Sequence, residues 1–184
     1  MSQSALIILA VIFVILLTGL LLPVVRKGKR ERDIQKVLKT LGCASYRDVV
    51  LVDMLDEQVY LEHIVLLPDK IALISFKRFR GNIFAGENID YWTQVVGSKS
   101  FKFPNPFGEL EPAVAALKGA MKGIDVQPYI VFTNNCEFPK GKPESVMTLA
   151  QAAVQFGEQR CETLSLSTQQ SWEALGNKLK TANK

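Results

Sequence analysis

Between Gln58 and Lys77 the chain reads QVYLEHIVLLPDKIALISFK, two runs rich in Val, Ile, Leu and Tyr on either side of Pro68-Asp69. Runs of this composition broken by turn formers mark a β-hairpin. No other stretch limits the fold as tightly. With Pro68 and Asp69 at the centre of the turn, Leu67 faces Lys70 and paired residue numbers sum to 137. Glu62 then lies across from Ser75, and Lys77 follows two residues on, on the same face of the sheet. A slip of one residue would carry Ser75 to the opposite face unless a bulge restored it.

The rest of the chain can be read outward from this hairpin. Ile34, Val37, Leu38 and Leu41 fall at helical spacing, which predicts an amphipathic helix from Glu31 to Leu41 ended by Gly42. Val49 to Met54 reads as an apolar strand, followed by hairpin strands at 58–66 and 71–77. Arg80-Gly81-Asn82 reads as a turn, and Glu87 to Trp92 leads into a polar, irregular stretch. That stretch ends in Phe103-Pro104-Asn105-Pro106, whose prolines exclude a helix there. Glu109 to Met121 is helical by composition, and Tyr129 to Phe132 is a short buried strand. Beyond Pro139 to Pro143, Val146 to Phe156 and Trp172 to Leu179 read as two helices. The order helix, three strands, helix, strand predicts an α/β domain with a mixed sheet.

The amino-terminal end carries a different signal. Ala5 to Val25 is a run of 21 residues without a charge. As a helix it would be about 31 Å long, which matches a hydrocarbon core of about 30 Å. A cleaved secretory signal is the competing reading, but Met1 to Ser4 carries no charged side chain and no small-x-small site follows the run. The expectation is therefore one transmembrane helix, within an anchor and basic flank at 1–27. Domains at 28–140 and 141–184 follow, the last a helical extension. Arg26, Lys27, Lys29, Arg30 and Arg32 follow the run at once, so the positive-inside rule places the body in the cytoplasm and the amino terminus outside. Cys43, Cys136 and Cys161 are odd in number and widely spaced, which suits reduced thiols.

Charge limits the partners. Residues 26–32 hold five basic side chains and Glu31, a net of +4, and the whole chain is also +4. Everything outside that segment sums to zero. The basic cluster is accounted for by topology and anionic lipid head groups. A non-specific nucleic-acid binder needs a basic face on its own domain, and only Lys77, Arg78 and Arg80 offer one. His63 is the single histidine, so a histidine-based triad or zinc site lacks material. Taken singly, Glu62 reads as a solvated or salt-bridged glutamate and Lys77 as a surface lysine able to pair with it. Trp92 and Asn105-Pro106 read as packing and turn features.

In their order and spacing these residues resemble the nuclease-related domain (NERD) family, a branch of the PD-(D/E)xK nuclease superfamily, from about Gly28 to Thr133. Glu31 matches the family's helix glutamate, with Arg30 where glycine is usual. Leu61-Glu62-His63 matches Ile-Asp-His, and Ser75-Phe76-Lys77 matches Glu-x-Lys with serine in place of the acid. Gly81, Trp92 and Asn105-Pro106 match, and Glu109 stands where glutamine is usual. The resemblance implies a PD-(D/E)xK nuclease-like core preceded by the transmembrane helix. It implies a site of Glu31, Glu62, Ser75 and Lys77, with Mg²⁺ held by Glu31 and Glu62 and DNA met by Lys77, Arg78 and Arg80.

Two departures weigh against that chemistry. Glutamate at position 62 moves its oxygens by about one bond length, ~1.5 Å, where productive geometry tolerates about 0.5 Å. A neutral hydroxyl at Ser75 is a weak Mg²⁺ ligand, and several kcal/mol of lost charge stabilisation is about a hundredfold in rate or more. Two functions follow. One is a membrane-tethered, Mg²⁺-dependent DNA nuclease using Glu31, Glu62 and Lys77. The other is a nuclease fold with a degraded metal site that serves as a cytoplasmic binding or scaffold module for a protein partner. The uncharged body and Ser75 favour the second; the sequence says nothing of oligomeric state.

Overall fold

A computed structural model of the chain describes residues 32, 34, 35, 37, 39–53, 55–157 and 164–182. The apolar run 5–25, on which the membrane anchor rests, and Glu31 lie outside the described residues. Among the described residues no helix is long and apolar enough to cross a membrane. Two compact units divide the chain, 1–39 and 40–184. In the first, Arg32, Ile34, Gln35 and Val37 are helical, as their spacing predicts, and the Lys39 N–H donates to the Gln35 carbonyl at 3.3 Å.

The second unit is mixed α/β. Its main sheet joins β1 (Ala44–Val52), β2 (Gln58–Leu66), β3 (Lys70–Lys77), β7 (Asp125–Phe132), β9 (Val146–Thr148) and β10 (Lys180–Thr181) in the order β10-β1-β2-β3-β7-β9. The hairpin has the expected register: His63 faces Ile74 and Leu66 faces Ile71, each pair summing to 137. The Leu67 N–H donates to the Lys70 carbonyl at 2.9 Å and closes the turn. Pairing is antiparallel from β1 to β3 and parallel from β3 to β7 and β9, so the sheet is mixed. β1 begins at Ala44, five residues before the strand read from Val49, because its outer half alternates exposed and half-buried side chains and carries no apolar run.

Between β3 and β7 the chain builds a second sheet that the sequence reading leaves irregular. It joins β4 (Gly81–Phe84), β5 (Tyr91–Val96), β6 (Lys99–Pro104) and β8 (Cys136–Glu137) in the order β6-β5-β4-β8. Gly81, read as a turn, opens β4 at φ 81, where a Cβ would strike the Val95 carbonyl. β5 and β6 form a hairpin around Gly97-Ser98, with Gly97 at φ 60. Trp92 fastens this sheet to the core. It is fully buried, donates its indole N–H to the Gly86 carbonyl at 2.9 Å, and meets Phe103 and Phe107 edge-on.

No helix runs into Pro106, as the prolines of 103–106 predict, but the stretch read as irregular holds β5 and β6. Pro106 is the first residue of α1 (Pro106–Ala120), where its missing N–H costs nothing, and Asn105 caps the helix by accepting the Phe107 N–H at 3.1 Å. Leu110, Ala113, Ala116 and Leu117 are its buried residues, and α1 packs on β7 and β2 over Ile64, Leu73 and Ile130. Residues 146–156, read as one helix, divide into β9 and α2 (Leu149–Gly157). Here Ile130 and Phe132 on β7 recruit Val146 and Thr148 as partners. α3 (Leu166–Lys178) lays Trp172 on Tyr46, ring centroids 4.9 Å apart, and approaches so closely at Gly176 that a Cβ would meet the Tyr46 hydroxyl. Residues read as a helical extension thus supply both edge strands of the main sheet. Cys43 is disulfide-bonded and Cys136 is a free thiol, which corrects the expectation that the thiols are all reduced.

His63 is wholly buried on β2, 6.0 Å from the Phe76 ring, and neither ring nitrogen finds a hydrogen-bond partner among the described residues. Burial, with the charge of Arg47 adding to it, pushes its pKa down to about 4. Unfolding exposes a histidine that binds a proton below about pH 6.5. Stability is therefore full above that value and falls toward pH 4 by up to about 1.4 kcal/mol per pH unit. Urea denaturation near pH 7 and near pH 4.5 should show this loss, and His63→Phe should show less of it. An equal loss in both proteins would exclude His63 as the cause.

Candidate functional site

The hairpin brings Glu62, Ser75 and Lys77 to one end of the sheet. The ladder between β2 and β3 stops at His63 and Ile74, and past that pair the carboxylate of Glu62 takes over the role of a strand partner. Its Oε2 accepts the Ser75 hydroxyl at 3.0 Å and the Phe76 backbone N–H at 3.0 Å. Ser75 is only 7% exposed, so its hydroxyl has few alternatives to this acceptor. The register read from the sequence puts serine and glutamate together, and the structure shows them bonded.

Lys77 does not turn to Glu62. Its ammonium meets Glu109 Oε2 at 2.6 Å, from the first turn of α1. The Asn105 cap and Pro106 fix where that turn begins, and Asn105 Nδ2 donates to the carbonyls of Glu87 and Ile89, at 3.1 and 3.0 Å, which moors the corner. An acid in the first helical turn is also favoured by the helix dipole. The Lys77 carbonyl accepts the Thr133 N–H at 3.1 Å, so the lysine is held between β7 and α1. Arg78 and Arg80 are exposed just beyond β3, with their carbonyls taken by Asn134 and Gln94.

On the other side of Glu62 stands a residue that the sequence reading does not single out. β1 and β2 pair Arg47 with His63 and Val49 with Leu61, which puts Asp48 opposite Glu62. Asp48 adopts φ 50, and the more buried positions along β1 change there from even to odd numbers, a local break in the strand's alternation. β10 braces the break, since the Ala182 N–H donates to the Asp48 carbonyl at 2.9 Å. The Tyr60 hydroxyl donates to Asp48 Oδ1 at 2.6 Å. Burial, the bond to Asp48, and the charges of Asp48 and Glu62 push this phenol up to about 12. Tyr60 therefore stays protonated at neutral pH. Glu109 was legible only as a departure from a family pattern, and Asp48 carries no signal in a single sequence.

A Mg²⁺ ion requires near-octahedral oxygen ligands at about 2.0–2.1 Å. The residues described here do not meet that need. One oxygen of Glu62 already accepts two protein donors, the Ser75 hydroxyl points its proton at that oxygen, and Lys77 is paired with an acid. Among the described residues no group of three His, Cys, Asp or Glu side chains is placed to hold a metal. Glu31, the other expected ligand, lies outside the described residues. Chemically, the arrangement is three separate donor–acceptor groups: Tyr60 on Asp48, Ser75 and Phe76 on Glu62, and Lys77 on Glu109. Of these groups, Glu62 Oε2 is occupied by two donors and the Lys77 ammonium by Glu109.

Residues 26–133 match the nuclease-related domain (NERD) family. An uncharacterized protein of Bacillus anthracis is 26% identical over 96 residues, which is 50% of this chain and 45% of that relative. This chain thus spans less than half of that relative's length. No solved structure matches the chain. The matched residues cover more than half of the sequence and carry the hairpin, Lys77 and the capped α1, and the chain belongs to the nuclease-related domain family.

Proposed function

We propose that this protein is a membrane-anchored binding or scaffold module that keeps a nuclease-like fold and has lost phosphodiester hydrolysis. The observation that carries this reading is the saturation of Glu62 Oε2 by the Ser75 hydroxyl and the Phe76 N–H. The hydroxyl stands where the family places a metal-binding acid. It acts on its neighbour as a donor, which is the opposite of what a cation requires. The zero net charge outside 26–32 supports the same reading, because electrostatics dominates affinity for DNA.

The anchor is the apolar run 5–25, and the basic cluster after it orients the body toward the cytoplasm. A disulfide at Cys43 is less usual on that side. The charge rule acts at insertion, before any disulfide forms. The partner is a protein, bound at the membrane surface.

Incubation of the full chain with Mg²⁺ or Mn²⁺ and single- or double-stranded DNA should give no cleavage above buffer. Robust turnover that Lys77→Ala abolishes would establish the competing reading, a tethered nuclease using Glu31, Glu62 and Lys77. Ser75→Ala leaves Glu62 with one donor fewer and should cost about 1–3 kcal/mol in chemical denaturation. A neutral result would show that the bond does not hold the site closed. Ser75→Glu should raise Mg²⁺ affinity by calorimetry, and an unchanged titration would place position 75 outside any metal pocket.

For the anchor, the full chain should stay with membranes through a carbonate wash, and residues 27–184 should be recovered without detergent. Protease added to intact cells should spare the body. Digestion from outside would reverse the orientation, and release by carbonate would remove the anchor.

A further inference from the structure

We infer that Glu109 is a built-in competitor for Lys77 and sets what the cleft at the head of α1 accepts. The inference rests on the proposed reading of the site as closed, and names the residue that closes it to polyanions. The Lys77 ammonium sits 2.6 Å from Glu109 Oε2, in the contact that a phosphate oxygen of a nucleic-acid backbone would make. The lysine side chain is 20% exposed and the glutamate 55%. The pair is thus reached from solvent on the glutamate's side, and an incoming phosphate meets the carboxylate first.

The surroundings reinforce the exclusion. Glu109 lines a cleft of about 630 Å³ at the start of α1, together with Glu87, Asp90 and Glu111; among the described residues no basic side chain lines it, and Lys77 meets it only through Glu109. The four carboxylates repel a phosphate backbone on the glutamate's side of the pair. The helix start would otherwise favour an anion, through its unpaired N–H groups and its dipole. Asn105 caps the Phe107 N–H and Glu109 supplies the negative charge, so the features that attract a phosphate to a helix start are used internally. A glutamine at position 109 would keep the size of the side chain and release the lysine.

The test is fluorescence anisotropy of a labelled DNA duplex at low salt with the full chain. Glu109→Gln should bind at least about tenfold more tightly than the unsubstituted protein, and Glu109→Ala should reproduce the gain if glutamine disturbs the fold. Glu111→Gln makes the same charge change in the same cleft without touching Lys77, and should gain much less. Lys77→Ala placed on Glu109→Gln should remove the gain. It should also flatten the log–log salt slope by about 0.9, the share of one phosphate. Equal gains in Glu109→Gln and Glu111→Gln, or a gain that survives loss of Lys77, would overturn the competition. Unsubstituted protein that already binds as tightly as Glu109→Gln would overturn the closed site as well. Inert DNA binding in both 109 variants would sink this inference alone.

Discussion

The register of the β2–β3 hairpin is the constraint on which the site depends. Pro68 and Asp69 allow one tight connection, and the Leu67–Lys70 bond holds it. From there each residue's face is decided by alternation. Leu66, Ile64, Ile71 and Leu73 enter one apolar face, and Val65, Ala72 and Ile74 are buried on the other. With both faces apolar, the tight turn and the ladder that follows it are what keep Glu62 and Ser75 together. The site is held in place by the core beneath it.

Around Glu62 the structure turns a set of separate charges into closed pairs. Asp48 receives Tyr60, Glu62 receives Ser75 and Phe76, and Glu109 receives Lys77. Each pair spans different elements: β1 with β2, β2 with β3, β3 with α1. The exposed Lys77–Glu109 pair adds little to stability, as surface ion pairs do. Its consequence is for binding, since it fixes which charge the cleft shows to an approaching ligand. His63 stands apart, neutral and unpartnered among the described residues, and it is the group whose protonation the fold resists.

What the sequence made legible was local. The hairpin register, the Glu62–Ser75 juxtaposition and the mixed order of strands follow from alternation and turn chemistry within about twenty residues. The second sheet did not follow. In β6, Lys99 to Lys102 are all exposed, and β5 buries only Trp92 fully, so neither strand shows the apolar alternation by which strands are read. Pro106 ends the non-helical stretch and begins α1, and the Asn105 cap marks the change. The edge strands β9 and β10 have three and two residues and exist because β7 and β1 offer open edges. The Lys77–Glu109 pair joins residues 32 apart across a helix and a sheet, beyond any periodic signal.

A metal site built from carboxylates is under tension whenever the metal is away, because like charges held close repel and each lacks a donor. Serine at position 75 removes one such charge and supplies a donor to the carboxylate that remains. Glutamate at 109 then gives the lysine a permanent counter-charge. Ser75 and Glu109, two of the four departures from the family pattern, thus act in the same direction: one gives Glu62 a donor and the other gives Lys77 a counter-charge. Restoring only one of the two positions leaves the other pairing in place. A metal regained at Ser75→Glu would still find its lysine occupied by Glu109, and a lysine freed at Glu109→Gln would still have no metal beside it. Under the proposed loss of hydrolysis, its recovery requires at least both changes together, and the binding of metal and of phosphate separate between them.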